Sequence, residues 1–259
     1  MRLKDTVHYN LKNQLLILLI ILVLFSGSAV LIDASFSEVI ENADQVGVFL
    51  GNFLKPDFSY IPELFQPLIQ TIAMSIAGTF IGVIVAVPVA FLATTVVTRN
   101  RYITAVFRFI MSVIRTIPSL LLAALIVAIF GIGEFSGLLS VAVFTFGMVG
   151  QLVYGSIETV DKLPIETQES VGANLMQIAL VSIWLQINQN VISYALYAFE
   201  VNVRASTVLG YVGAGGIGQI LSTQLNFFRY DRVAVIILII LLVVMVTDLI
   251  SGVLRKELA

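Results

Sequence analysis

The stretch "GYVGAGGIGQI", Gly210–Ile220, holds a literal G-x-G-x-x-G at Gly213, Gly215 and Gly218. Behind a β-strand and at the head of a helix, that pattern cradles a dinucleotide pyrophosphate and marks a soluble α/β fold. What precedes the glycines therefore decides the fold. Here it is "NQNVISYALYAFEVNVRASTVLG", Asn188–Gly210, the end of a long helical segment from about Ile183. No G-x-x-x-x-G-K-[ST] occurs anywhere in the chain. Nucleotide binding by this stretch is set aside. Glycines permit positive φ and close backbone approach, and irregular backbone in a membrane is tolerated only where protein or a water-filled cavity covers it. Gly213, Gly215, Gly216 and Gly218 read as a tight, buried turn or a re-entrant segment between two membrane helices. Packing through small residues and a gate beside a path through the bundle both fit.

Composition supports the membrane reading. Of 259 residues, 59% are hydrophobic and 12% charged, about half the ~25% charged residues of soluble domains, and the mean hydropathy is +1.02. The net charge of −2 argues against a nucleic-acid partner. With no cysteine and one histidine, His8 in the polar N-terminal tail, Cys-ligated metals and thiolate chemistry are excluded.

A spanning helix needs about 20 mostly apolar residues, and six candidates occur. The first, Leu15–Ile32, follows Arg2, Lys4 and Lys12; its length favours an uncleaved signal anchor over a cleaved signal peptide. After a polar, acidic stretch, Asp33 to about Glu63, come Leu68–Val97 with an internal Pro88, a third span within Ile103–Phe130 broken at "RTIPS" (Arg115–Ser119), and Ser136–Ile157. A polar stretch of about 158–174 leads to the fifth helix, Ile183–Leu209, and the sixth is Val233–Leu254. Six spans put Arg2, Lys4, Lys12, Arg99, Arg101, Lys162, Arg255 and Lys256 on one side, against Lys55, Arg229 and Arg232 on the other. The positive-inside rule makes the first side, with both termini, cytoplasmic. Residues 1–65 are expected to form a tail, an anchor helix and an extracytoplasmic segment, and 66–255 the main membrane domain.

Two stretches carry chemistry. In the fifth helix, Tyr197, Glu200 and Arg204 form an i, i+3, i+7 stripe. Ionisable groups in a membrane face a bundle interior or a wet path, and Glu200 and Arg204, four apart, can neutralise each other. A structural pair and a path wall both remain open. In "VDKLPIETQESVGANLMQIALVSIW", Val160–Trp184, Pro164 suits a first helical turn with Glu166 near its start. Gly172 can supply the left-handed residue that ends this helix, and Asn174 can cap the next. The result is two short helices with a sharp bend, with apolar Leu163, Ile165, Val171 and Leu175 available to dock a partner.

This loop resembles the "EAA…G" loop of bacterial ABC-importer permeases, with Glu166, Gly172 and Ala173 matching its pattern, Thr167 and Gln168 replacing its alanines, and Trp184-Leu185-Gln186 standing where a proline is often found. More specifically, "FEVNVRASTVLGYVGAGGIG", Phe199–Gly218, and "RTIPSLLLAAL", Arg115–Leu125, resemble phosphonate importer permeases of the PhnE family. The likeness spans roughly residues 66–255. It implies an all-α integral membrane protein with the type I ABC-importer permease fold. It also implies a pairing with a second copy, a cytoplasmic ABC ATPase dimer carrying ATP and Mg, and an extracytoplasmic phosphonate-binding protein, with no cofactor on this chain. In that family the loop docks in a groove of the ATPase, and the helices expose a path alternately to each side.

The implied cargo is a phosphonate or a related oxyanion such as phosphite, with another small solute as the alternative. Such an anion needs cationic groups along its path. Arg115 with Thr116 and Ser119, Arg204 with Glu200, and the glycine turn are the candidate path or gate residues. An intramembrane enzyme would need a nucleophile–base or metal constellation, and none is legible. A purely structural or sensory role leaves the loop and the charged fifth helix unexplained.

Overall fold

The computed structural model describes residues 11–32, 41–98 and 100–258; Arg2, Lys4, His8 and Arg99 lie outside them. Every regular element among the described residues is helical. The chain divides into two compact units, Met1–Gly51 and Asn52–Ala259. The first holds α1 (Leu11–Leu31) and most of α2 (Ala43–Phe53). α1 is long and apolar enough to cross a bilayer.

The second unit opens on a 3-10 turn, Phe58–Tyr60, capped by Asp57, whose carboxylate accepts the Ser59 hydroxyl at 2.5 Å and the Ser59 backbone N–H at 3.1 Å. The hydroxyl bond is the main force holding the Asp57 carboxyl below its ordinary value of 3.8. α3 (Ile61–Leu92) then runs through Pro67 and Pro88 without ending, so Pro88 lies inside a continuous helix. α3 packs against α6 (Glu134–Glu158) in the most extensive helix pair of the unit. Small residues make that approach possible: a Cβ on Gly78 would stand 2.6 Å from Val141 Cγ1, and one on Gly82 2.6 Å from the Ala142 carbonyl oxygen. α8 (Trp184–Leu209) packs on both, and α10 (Tyr230–Leu258) packs on α8.

The third span breaks where the sequence reading put it, and one other feature departs from that reading. The third span is two helices, α4 (Arg101–Thr116) and α5 (Ser119–Phe130), bent by 97°. The bend follows from Pro118, which pushes Ile117 into an extended conformation (ψ 123°) and cannot continue the hydrogen-bond ladder. Among the described residues five helices are then long and apolar enough to cross a membrane, or six with the bent pair counted as one. The departure is α9 (Gly216–Asn226), a helix that the glycine pattern concealed. At 1.5 Å per residue its 11 residues rise only about 17 Å, too short to span.

Candidate translocation path and coupling loop

The glycine stretch folds as a 3-10 turn, Gly210–Val212, followed by Gly213, Gly215 and Gly216 at φ +85°, +82° and +70°. L-residues with a Cβ adopt that region at a cost. α9 therefore turns back to pack on α3, α8 and α10. Its first turn is satisfied from another helix: the Ile217 N–H donates to Thr71 Oγ1 at 2.8 Å. The neighbouring bend, Gly131–Gly133, is tied to the same place, with the Gly133 N–H donating to the Gly213 carbonyl at 2.9 Å. A Cβ on Gly218 would strike the Thr207 carbonyl, and one on Gly216 the Thr71 hydroxyl.

Below this turn a hydroxyl seam joins α3 to α8. Thr71, Ser75 and Thr79 recur every four residues and share one face of α3. Ser75 Oγ lies 3.0 Å from Ser206 Oγ. The fully buried Asn202 donates from Nδ2 to Thr79 Oγ1 at 2.8 Å and to Thr145 Oγ1 at 2.7 Å, so one amide links α3, α6 and α8. Nothing in the local sequence around Asn202 announces this junction.

Glu200 is almost fully buried and meets Arg204, as the i, i+4 spacing requires. It also meets a residue that spacing cannot reveal: Arg255 of α10 donates from Nη2 to Glu200 Oε2 at 3.0 Å. Two guanidiniums around one carboxylate leave a net positive charge. The Arg204 side chain keeps 53% of its surface exposed, and Arg255 32%.

Arg115 lies elsewhere, in the last turn of α4, and donates from Nη1 to Gln151 Oε1 of α6. Thr116 donates to the Val113 carbonyl at 2.8 Å, and Ser119 begins α5. The sequence-singled residues thus form three groups: Arg115–Thr116–Ser119 at the α4/α5 bend, Glu200–Arg204 against α10, and the glycine turn.

In the loop, α7 (Leu163–Ser170) has Pro164 at its start and Glu166 in its first turn. Gly172 follows at φ +80°, and the Ala173 N–H closes the helix end on the Gln168 carbonyl at 3.0 Å. Asn174 and Gln177 form a reciprocal capping box at 2.9 and 2.8 Å. The turn Leu175–Gln177 and a π-helical segment, Ile178–Ile183, lead directly into α8. Ile165 is buried against Ile157, Ile178 and Ile183, which anchors α7, whereas Leu163, Val171 and Leu175 are exposed. Gln186 straps the loop to α8 by accepting the Asp161 N–H at 2.9 Å and donating to the Ser182 carbonyl at 2.8 Å.

A multi-pass helical bundle with a short helix folded back at a glycine turn and a capped two-helix loop fits an ABC-importer permease subunit. The chain belongs to the family of binding-protein-dependent transport system inner membrane components, whose profile matches residues 78–259. It is 38% identical over 88% of its length to the phosphite transport system permease protein PtxC of Stutzerimonas stutzeri, covering 82% of that protein. It is 31% identical over 82% of its length to the phosphate-import permease protein PhnE of Mycolicibacterium smegmatis, of which it covers 40%. In fold it resembles the inward-facing MetNI methionine ABC transporter, with TM-score 0.70 and 20% identity over 78% of this chain and 99% of that one. The protein is therefore a transport component of the cytoplasmic membrane.

Proposed function

We propose that this chain is the permease subunit of an importer for phosphite, phosphonate or a closely similar phosphorus oxyanion. The observation that carries the reading is the 38% identity to a phosphite permease across nearly the whole chain. The site chemistry agrees. Arg115, Arg204 and Arg255 lie beside helix breaks or ends, two of them around a single carboxylate. An anion crossing a low-dielectric region needs such groups. More distant relatives, at 27% identity or below, include carnitine and choline permeases. A cationic lining disfavours a quaternary ammonium group, so that alternative is the weaker one.

Two copies would pair, each presenting its α7 loop to one subunit of a cytoplasmic ATPase dimer that holds ATP and Mg. Glu166, Gly172 and Ala173 belong to this contact. An extracytoplasmic binding protein would deliver the anion, and both termini would face the cytoplasm. ATP-driven closure of the ATPase would move α7. The strap through Gln186 and the buried Ile165 transmit that motion to α8, and hence to Glu200, Arg204 and the glycine turn. The test is uptake by whole cells expressing the permease with its ATPase and binding protein. Labelled phosphite should accumulate and be displaced by excess phosphonate but not by carnitine. Carnitine accumulation without phosphite accumulation would reverse the assignment.

A further inference from the structure

Arg101, Arg108 and Arg115 are spaced by seven residues, which puts them on one stripe of α4. On the facing helix α6, Gln151, Tyr154 and Glu158 follow an i, i+3, i+7 pattern. Arg108 donates from Nε to the Ala93 carbonyl at 2.7 Å, pairs with Glu158, and lies 5.0 Å from the Tyr154 ring centre. Between the two helices is a cavity of about 290 Å³, lined among others by Arg108, Ser112, Gln151 and Tyr154. Arg115 is bonded to the lining Gln151, a neutral partner, and among the described residues no carboxylate pairs with it.

We propose that this cavity is a low-affinity station for a tetrahedral phosphorus oxyanion, with Arg115 its principal charge and Arg108, Ser112, Gln151 and Tyr154 its neighbours. The proposal rests on the substrate reading above and extends it from Arg115, already a path candidate, to Arg108, Ser112, Gln151 and Tyr154. Of the lining side chains only Arg108 is charged, and Glu158 pairs with it, so the uncompensated positive charge beside the cavity is that of Arg115, held on the lining Gln151. A guanidinium with no counter-charge in a membrane domain requires water, protein or an anion beside it rather than acyl chains. Guanidinium, hydroxyl and amide groups are the donors an oxyanion accepts from. A water occupies about 30 Å³, so the cavity has room for one small oxyanion with part of its hydration shell. It also lies at a meaningful end of the bundle. Glu158 is the last residue of α6, and α7, the loop helix, begins at Leu163. An anion released toward that loop meets Arg115 first and Arg108 one helical heptad later.

The test has two readouts. In the first, the intact permease–ATPase complex in zwitterionic nanodiscs, without binding protein, is titrated with inorganic phosphite while the phosphorus NMR linewidth is followed. The wild type should broaden the line. Arg115→Gln should weaken binding about tenfold and Arg115→Lys much less. Glu158→Gln should tighten it several-fold, because it removes the neutralising carboxylate; a merely structural role for Glu158 predicts no such gain. In the second, ATP-driven phosphite uptake is measured with the binding protein present. Arg115→Gln should slow it about tenfold while ATP hydrolysis stimulated by the binding protein persists. Equal broadening by wild type and Arg115→Gln overturns the station, and normal wild-type uptake would leave the substrate reading standing. Broadening abolished by anionic lipid would assign the cavity to a lipid headgroup and also overturn it. A wild type that binds phosphite through Arg115 yet never imports it would instead defeat the substrate reading.

Discussion

The hydroxyl of Thr71 accepts the backbone N–H of Ile217 at 2.8 Å, across 146 residues of sequence. A free N–H at a helix start needs a partner, and here the partner belongs to a different membrane helix. The same hydroxyl stands where a side chain on Gly216 would go. Gly216→Val would place a Cβ against Thr71 at φ +70° and displace that bond. The expected cost is about 1–3 kcal/mol from the backbone conformation. Gly215→Val, at φ +82° and 3.1 Å from Glu134 Cγ, should be milder. Both variants should assemble with the ATPase, as judged by size-exclusion chromatography, and Gly216→Val should abolish uptake. Wild-type transport by both would reduce the turn to tolerant packing.

The loop gives a different kind of prediction. A Cβ on Gly172 meets nothing within 4 Å, so this chain itself leaves room for a side chain there. Asn and Asp are also the L-residues best suited to φ near +80°. Gly172→Asp should therefore leave this chain stable and inserted. If the loop is buried against an ATPase, however, the new carboxylate is desolvated there. Loss of ATPase association with normal permease yield is the expected result. A Gly172→Asp complex that hydrolyses ATP and transports at the normal rate would remove the loop from the coupling interface.

For Glu200, the second arginine changes what single substitutions do. Arg204→Gln leaves Arg255 still bonded to the carboxylate, so folding should be nearly unaffected. Glu200→Ala strips the shared counter-charge from both guanidiniums and should cost about 3–5 kcal/mol, as breaking a buried ion pair does. Scaled down for the partial exposure of both arginines, a loss of about 1–3 kcal/mol is expected, read as a lower thermal midpoint in detergent. The pair Glu200→Gln with Arg204→Gln separates packing from passage. Assembly should survive while uptake falls, and full uptake would make the pair dispensable.

Asn202 supplies a stability test independent of transport. Its amide reaches Thr79 and Thr145 from within a fully buried position. Asn202→Ala should destabilise the bundle by about 1–3 kcal/mol, through hydroxyls left without that donor. An unchanged melting midpoint would show that the three helices are held by apolar packing alone.

Much of this fold is legible in the sequence because local rules govern it. The apolar runs give the spans, and Pro164, Gly172 and Asn174 give the loop helix, its stop and the next start. Pro118 gives the break in the third span, although not its angle of 97°. What local rules cannot supply is pairing between distant segments. Arg255 lies 55 residues from Glu200, and nothing in its spacing announces the contact. α9 was hidden because its head is rich in glycine, a poor helix former, and its cap comes from Thr71. The α4 arginines do carry a signal in their seven-residue spacing, matched by the polar stripe on α6.

The most direct measurement is ATP-driven accumulation of phosphite in proteoliposomes that contain this chain and its ATPase, with ATP enclosed and the binding protein added outside. Accumulation should require both, should stop when ATP is replaced by a non-hydrolysable analogue, and should be competed by phosphonate. Vesicles in which the loaded binding protein stimulates ATP hydrolysis, yet no phosphite, phosphate or phosphonate enters, would contradict the account.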